Sequence, residues 1–180
     1  MICNWCASEF TARSGARYCS TRCRVAAHRI ALPEQLTSVP RWIRHERKVP
    51  KTVRGGAASS TNPLTWSTFA DAQSSSVGDG LGFVLAGDGI ACIDLDHCLD
   101  GGRLSSFAAD VVRQCRGTYI EISPSGTGLH IFGLATVGKG VVSDGFEVYD
   151  RGRYMTVTGR RWKRAPLQLL DISKTVAALV

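Results

Sequence analysis

The sequence predicts an α+β domain, in which a mixed or antiparallel sheet is flanked by helices, behind a small cysteine-rich module. Short apolar runs that end at turns rich in Gly, Pro and Ser predict the strands. Residues 103–116 repeat apolar side chains at helical spacing, which predicts an amphipathic helix that ends at Gly117. Four of the seven cysteines lie within the first 23 residues. A chain of 180 residues suits one domain plus a small appendage.

The basic residues are concentrated near the N-terminus. Residues 1–54 carry 11 Lys or Arg and three acids, a net charge of +8, whereas residues 55–180 carry 11 and 12, a net charge of −1. This asymmetry predicts a polyanionic partner, with nucleic acid the first candidate and a solvated basic surface the alternative. No apolar run approaches transmembrane length, and Met1 is not followed by the apolar core of a signal peptide. We therefore expect a soluble, cytoplasmic protein with no membrane partner.

The four N-terminal cysteines have the spacing of a structural zinc site. Cys3 and Cys6 form a Cys-x2-Cys pair, and Cys19 and Cys23 form a Cys-x3-Cys pair. Twelve residues lie between the two pairs. Four thiolates so spaced predict a closed tetrahedral Zn²⁺ site, and so small a module needs the metal to fold. With a helix expected over residues 20–31, the module resembles treble-clef and zinc-ribbon-like fingers. Whether it binds nucleic acid or a protein is left open.

Residues 32–72 contain a predicted linker and the first predicted elements of the main domain. Pro33 and Pro40 indicate a linker over residues 32–40. A basic segment with one aromatic residue follows at residues 41–51. Further on, residues 63–72 predict a short helix opened by Thr65 or Ser67.

The strand predicted at residues 90–96 ends in two acids. Residues 81–85 and 90–96 read as a hairpin whose second strand carries Asp94 and Asp96. On a strand these two side chains point the same way, roughly 6.5–7 Å apart along the backbone, and repel each other unless a cation lies between them. The pair therefore suits Mg²⁺ or Mn²⁺. The alternative is a strand that runs into a turn rich in Asp.

The later strands place more candidate residues near the same end of the sheet. The predicted strands are residues 118–122, 129–134, 146–149 and 154–158. They carry His130 and Glu147, and the turn between the first two contains Ser125. Because Gly126 and Gly128 have no Cβ, their backbone N–H groups can approach an anion closely. Three acids that hold two divalent ions beside a phosphate-binding turn predict nucleotidyl transfer or phosphodiester cleavage.

A longer pattern joins these pieces. The run Gly-Leu-Gly-Phe-Val-Leu, Ile-Asp-Leu-Asp, Tyr-Ile-Glu-Ile-Ser-Pro-Ser-Gly-Thr-Gly-Leu-His-Ile, Phe-Glu-Val-Tyr and Arg-Tyr-Met-Thr-Val-Thr-Gly resembles the primase–polymerase branch of the archaeo-eukaryotic primase superfamily. Upstream, Lys48-Val-Pro50 and Trp66 match that branch's Lys-x-Pro and Trp. The resemblance covers about Arg41 to Arg161. It implies an RRM-like catalytic core that adds nucleotides on a template with Mg²⁺ or Mn²⁺.

The resemblance implies a role for each matching acid. Asp94 and Asp96 match the first motif and are expected to ligate the catalytic metal. Glu147 fits the third motif's acid, and Asp150 is the competing candidate.

The resemblance also implies which residues contact the nucleotide. His130 matches the histidine of the second motif, which the family often writes Ser-x-His. Because Gly128 stands where that serine would be, any hydroxyl role passes to Ser123 or Ser125. The residues expected to bind the nucleotide, mainly its phosphates, are Lys48, Ser123, Ser125, Gly126, His130 and Arg153.

We therefore expect a zinc finger at residues 1–31, a linker at 32–40, a catalytic core at 41–165 and a C-terminal tail at 166–180. The expected function is that of a DNA primase/polymerase of phage or bacterial type. Its partners would be single-stranded DNA template, nucleotides and a replicative helicase or other replisome protein. Two other functions stay open: a catalytically silent nucleic-acid-binding adaptor and a metal-dependent nuclease. The sequence does not indicate whether ribo- or deoxyribonucleotides are used.

Overall fold

The protein is described here by a computed structural model, which covers residues 1–3, 5–6, 8–12, 15–28 and 30–180, the side chains of 26–28 excepted. The helices are α1 (Thr21–His28), α2 (Glu34–Thr37), α3 (Phe69–Ser74), α4 (Ser106–Gln114) and α5 (Ser173–Leu179). The strands are β1 (Trp42–Glu46), β2 (Val49–Lys51), β3 (Gly80–Ala86), β4 (Ile90–Leu95), β5 (Leu99–Asp100), β6 (Arg103–Leu104), β7 (Tyr119–Ile122), β8 (Leu129–Leu134), β9 (Val141–Ser143), β10 (Phe146–Tyr149) and β11 (Arg151–Val157). Two 3₁₀ turns lie at Pro63–Thr65 and Trp162–Arg164. Within the described ranges, no helix has the length and apolar content to cross a membrane.

The main strands form two antiparallel sheets, so the expected α+β class is confirmed. One sheet has the order β11-β3-β1-β2, and the other has the order β7-β8-β4-β10-β9. A two-stranded ribbon of β5 and β6 completes the set. Every strand pairing between these elements is antiparallel, although a mixed sheet had remained possible.

The predicted hairpin of residues 81–85 and 90–96 is wrong, because β3 and β4 lie in different sheets. The link between them is bonded to other segments: Gly87 N donates to Asp150 O at 2.8 Å, and Ala135 N donates to Gly89 O at 2.9 Å. The chain makes the same change of sheet between β10 and β11, and β3 pairs with β11 as β4 pairs with β10. The segment from β3 to β4 and the segment from β10 to β11 therefore pass side by side from one sheet into the other, as strands do at the corners of packed sheets.

Each face of the five-stranded sheet packs against a different layer. The face toward the four-stranded sheet is aromatic, with Phe83 and Phe132 rings 6.5 Å apart between centroids and Trp42 fully buried. The opposite face meets α4 and α5, and Ile93, Ile131, Val111 and Val176 belong to one buried cluster there. Burying a side chain of this kind contributes roughly 1.5–3 kcal/mol, so both layers fix the position of the five-stranded sheet.

Several element boundaries differ from expectation because local hydrogen bonds decide them. The predicted helix at 103–116 begins at Ser106, since the Ser105 hydroxyl caps it by accepting from Ala108 N, and Arg103–Leu104 pairs as a strand. The helix expected within residues 63–72 is split, and Thr68, not Thr65 or Ser67, caps α3. The helix expected at 20–31 spans Thr21–His28, and Arg29 lies outside the described residues.

The predicted linker and tail are both packed against the sheets. Leu36 of α2, within residues 32–40, is fully buried, and its carbonyl accepts from the Trp42 indole at 2.9 Å. Within residues 166–180, Leu134 N donates to Leu170 O, and Ile172 N donates to Leu134 O. Residues 166–180 thus extend the core beyond residue 165.

Candidate active site

Four polar side chains form one row across the five-stranded sheet. Glu121 on β7 pairs with His130 on β8, His130 pairs with Asp94 on β4, and Asp94 pairs with Glu147 on β10. Residues directly opposite each other in antiparallel strands project to the same face, where their side chains interact. The register thus places three predicted site residues side by side and adds Glu121, which was not predicted.

Asp94 lies in this row between His130 and Glu147, where its surroundings disfavour the charged form of its carboxyl. Its Oδ1 atom is buried and has no hydrogen-bond partner within the described part of the chain. Burial raises the pKa of its carboxyl, the charges of Asp96 and Glu147 raise it further, and His130 and Lys48 oppose them. A buried carboxylate that lies near the charges of other carboxylates suits a divalent cation such as Mg²⁺ or Mn²⁺.

Asp96 lies just past the end of β4, where it is exposed and its backbone N donates to Gly145 O at 2.9 Å. In the described ranges, the one group of potential metal ligands with all atoms within 4.8 Å of one another is the cysteine cluster. The three carboxylates therefore lie farther apart than a fully formed ligand set.

His130 is held between two carboxylates. Its Nδ1 lies 3.3 Å from Glu121 Oε1, and its Nε2 lies 3.5 Å from Asp94 Oδ1. Burial alone lowers the pKa of the imidazole, but the Glu121 hydrogen bond and the charges of Asp94 and Glu121 outweigh burial and raise it. The ring is therefore fixed in one orientation, with Nε2 directed at Asp94, a candidate metal ligand.

Glu121 is fully buried and surrounded by donors. Its carboxylate accepts 2.9 Å hydrogen bonds from Thr158 N, Gly159 N and the Tyr119 hydroxyl, in addition to its contact with His130. One sequence signal could have revealed it: an acid in the middle of an apolar strand, nine positions before the histidine. A turn over residues 123–128 sets the two residues opposite each other.

The row opens into a pocket of about 170 Å³ between the two sheets. Asp94, His130 and Glu147 line one side, and Lys48 and Arg153 are its basic residues. The remaining lining residues are Tyr149, Tyr154, Met155 and Thr156. The Arg153 guanidinium lies 5.0 Å from the centroid of the Tyr149 ring, and the Tyr154 hydroxyl donates to the Lys48 carbonyl. A pocket that contains both acids and cations suits a nucleoside triphosphate bound together with a metal ion.

The turn predicted to meet phosphate lies beside this pocket and does not line it. Ser123 Oγ is 3.0 Å from Ser125 Oγ, which is 3.0 Å from Thr127 Oγ1, and Gly126 has φ +82°. A Cβ at Gly128 would lie 2.6 Å from Leu95 O and 2.9 Å from Ser123 Oγ. The Ser123 hydroxyl therefore occupies the space beside position 128 into which a serine would project.

Asp150 lies away from the pocket and is already bonded. It is 1% exposed, and its Oδ2 accepts from Val137 N at 3.0 Å while its Oδ1 accepts from Arg151 Nε at 3.0 Å. Burial raises the pKa of this carboxyl, but these hydrogen bonds outweigh burial and lower it. Of the two acids that competed for the third position, Glu147 is the one that faces Asp94.

The four cysteines form a second candidate metal centre. The sulfur atoms of Cys6 and Cys19 are 3.6 Å apart, and those of Cys19 and Cys23 are 3.5 Å apart. A tetrahedral site with Zn–S bonds of about 2.3 Å needs S···S distances of about 3.8 Å, so the cluster fits Zn²⁺ closely. Cys3 joins the cluster from a short antiparallel bridge at Ile2 and Glu9, and Cys23 joins it from α1.

The thiol pKa values of the cluster diverge. Burial opposes ionisation of Cys3, but backbone donors at Cys6, Cys19 and Trp5 outweigh it and lower its pKa to about 6. The neighbouring thiols, Cys23 first, raise the pKa of Cys19 to about 12. Thiolates crowded in this way need a cation to ionise together.

Comparison with known proteins gives one informative match. No protein-family model matches the chain. The DNA primase-polymerase of Nitratiruptor phage NrS-1 is 36% identical to it over 157 residues. The match covers 77% of this chain and 22% of the phage protein, so the chain spans about a fifth of that relative's length. Over most of its length, the chain is therefore similar to one part of a DNA primase-polymerase.

Proposed function

We propose that this chain carries the catalytic core of a DNA primase-polymerase, which adds nucleotides on a single-stranded DNA template. The observation that carries the proposal is the row of Asp94, His130 and Glu147, which lines one pocket together with Lys48 and Arg153. The similarity to the phage protein supports the same activity. On this proposal, the two antiparallel sheets are a form of the RRM-like primase core.

Asp94 and Glu147, joined by Asp96 at the rim, are proposed to hold Mg²⁺ or Mn²⁺. They are oxygen ligands on adjacent strands, and burial together with the charges of Asp96 and Glu147 raises the pKa of Asp94, an effect that a bound cation would oppose. When bound, such ions neutralise developing charge on a transferred phosphoryl group and align the attacking hydroxyl with it.

The basic side chains of the pocket and His130 are proposed to position the nucleotide. Lys48 and Arg153 provide the positive charge that a triphosphate requires, and His130 Nε2 donates toward the same space. Glu121 fixes the His130 ring by accepting from Nδ1, as carboxylates behind functional histidines do. Ser123, Ser125 and Gly126 support this strand end through the turn that connects β7 to β8.

The cysteine module is proposed to be a structural zinc finger that helps the core to hold its template. Its four thiols fit Zn²⁺, and residues 1–54 carry a net charge of +8. That charge favours binding to the phosphates of single-stranded DNA, and such binding weakens as salt rises.

The test is incorporation of labelled nucleotides on single-stranded template, with and without a primer, in Mg²⁺ or Mn²⁺. We expect Glu147→Gln to abolish incorporation and Asp150→Asn to retain it in whatever fraction remains folded. Degradation of labelled DNA without nucleotide incorporation would favour a nuclease. Template binding without either reaction would favour a silent adaptor and overturn the proposal.

A further inference from the structure

A second and larger cavity lies where the cysteine module meets the four-stranded sheet. It has a volume of about 360 Å³, compared with about 170 Å³ for the acidic pocket. From the module, Trp5, Arg17 and Tyr18 line it, and from the sheet His45 and Thr156 do. Arg17 also ties the two parts together, because its Nη2 donates to Ser76 O at 2.9 Å. We call this cavity the module cleft.

The module cleft adjoins the acidic pocket. Thr156 lines both cavities. The His45 ring, in the cleft, stacks on the Tyr154 ring, in the pocket, with centroids 6.2 Å apart and an interplanar angle of 28°. Gly80 permits this arrangement, because a Cβ there would lie 2.7 Å from His45 Nε2. A single strand that reaches the acidic pocket therefore has the cleft as its next binding space.

The lining of the module cleft suits a nucleobase. Its volume falls in the range of roughly 300–1,000 Å³ found for small-molecule sites, which are mostly apolar with a few polar groups. Trp5 and Tyr18 offer aromatic surface on which any base can stack. His45 is 9% exposed, and its buried Nδ1 has no hydrogen-bond partner in the described part of the chain. Burial keeps the pKa of this imidazole near 4, so at neutral pH the ring is uncharged and has one donor and one acceptor nitrogen.

Charge at the rim favours a nucleic-acid strand over an uncharged ligand. Arg17 lies at the cleft, and it belongs to the N-terminal segment of net charge +8. Asp79 also lines the cleft, where its carboxylate accepts from Arg47 N at 2.6 Å. The phosphates of a bound strand would therefore lie toward Arg17, with the base directed inward.

We propose that the module cleft receives one nucleobase of the single-stranded DNA template, next to the nucleotide that is copied in the acidic pocket. This inference rests on the proposed function, since it takes the template as the strand that crosses both cavities. It assigns Tyr18 and His45 as template-contacting residues.

The test is abasic scanning of a short fluorescent single strand, with binding to the full chain measured by anisotropy. We expect one abasic position to weaken wild-type binding about tenfold, in keeping with the loss of one stacked base. We expect Tyr18→Leu to bind the intact strand about tenfold more weakly and to be insensitive to the abasic site at that position. Arg22→Gln, which removes a charge from α1 outside the cleft, is the matched control and should keep the full response to the abasic position.

The following outcomes decide the cleft assignment separately from the catalytic proposal. His45→Asn should reproduce the Tyr18→Leu pattern, and zinc content and thermal unfolding identify any variant that has lost its fold. Equal losses at every abasic position, or an unchanged response in both variants, would overturn the cleft assignment. So would a raised KM for free nucleotide with unchanged DNA binding, because the cleft would then hold the substrate nucleotide. A position-specific response in a wild-type protein that incorporates no nucleotide would instead refute the catalytic proposal alone.

Discussion

Replacing Glu121 by glutamine tests whether this buried carboxylate positions His130. The carboxylate accepts from two backbone N–H groups, one hydroxyl and the His130 ring. A glutamine of the same shape has one acceptor oxygen, so its NH₂ group must face Thr158 N–H or Gly159 N–H. A buried donor left without an acceptor costs about 1–3 kcal/mol, and we expect the free energy of unfolding to fall by that amount.

The effect on activity should be larger than this loss of stability explains. Without a carboxylate behind it, His130 is no longer held toward Asp94, and losing such a supporting contact typically lowers activity by about 10–100-fold. We expect kcat/KM for nucleotide incorporation to fall in that range, with KM for the nucleotide rising. Affinity for single-stranded DNA should stay unchanged, because Glu121 does not line the module cleft.

The assay pairs urea unfolding with steady-state incorporation at saturating template. Ile131→Val is the matched control, because Ile131 is fully buried next to His130 on β8 but belongs to the cluster on the opposite face. It should cost about 1 kcal/mol and leave kcat/KM near wild type. Wild-type kinetics in Glu121→Gln, or an equal loss of activity in Ile131→Val, would refute a positioning role.

Three further predictions concern the rest of the chain. Protein purified without added metal should contain about one equivalent of zinc by elemental analysis, and Cys19→Ser should remove it and lower the Tm; zinc-free folded protein would contradict the finger. Gly128→Ala should destabilise the protein by about 1–3 kcal/mol in urea unfolding, because its Cβ would lie 2.6 Å from Leu95 O, whereas Gly56→Ala, which meets only Thr52 Oγ1 at 3.4 Å, should not. Burial holds the pKa of His45 near 4 in the folded chain against 6.5 when exposed, so the unfolded chain binds the proton more readily. Stability should therefore fall as pH drops from 6.5 towards 4, by roughly 3 kcal/mol, and His45→Gln should flatten that dependence; an unchanged slope would contradict it.

The local patterns of the sequence predicted the parts of the site that lie on single strands. Asp94, His130 and Glu147 were expected near one end of the same sheet, and β4, β8 and β10 carry them in adjacent positions. The cysteine spacing likewise predicted a cluster whose sulfur atoms lie within bonding range of one ion. In each case the geometry depends on a short segment or on one tight turn.

The sequence could not predict which sheet each strand joins. A three-residue link between β3 and β4 reads as a hairpin, yet pairing of β3 with β1 and β11 carries it into another sheet. Glu147 was the favoured third acid and Asp150 its competitor, because the two are only three residues apart. The structure distinguishes them, since Glu147 pairs with Asp94, whereas Asp150 lies between β10 and β11 and bonds to Val137 N and Arg151.

Glu121 escaped prediction for a related reason. Its role depends on Thr158 and Gly159, which lie more than 35 residues away and approach it only when β11 ends beside β7. The module cleft is also invisible in the sequence, since it forms between segments on both sides of the acidic strand. Such contacts follow from tertiary packing, which residue patterns do not encode locally.

The most direct test of the catalytic proposal is incorporation by Asp94→Asn on a primed single-stranded template in Mg²⁺. The substitution keeps the shape of the side chain and removes the charge that faces Asp96 and Glu147, so stability should hold or rise. Asp100→Asn, an exposed acid outside the pocket, is the matched control. We predict a loss of at least about 100-fold for Asp94→Asn, as expected when a stabilising group at the reacting centre is removed, and wild-type rates for Asp100→Asn. Near-normal incorporation by folded Asp94→Asn would contradict the assignment of this acidic row as the active site.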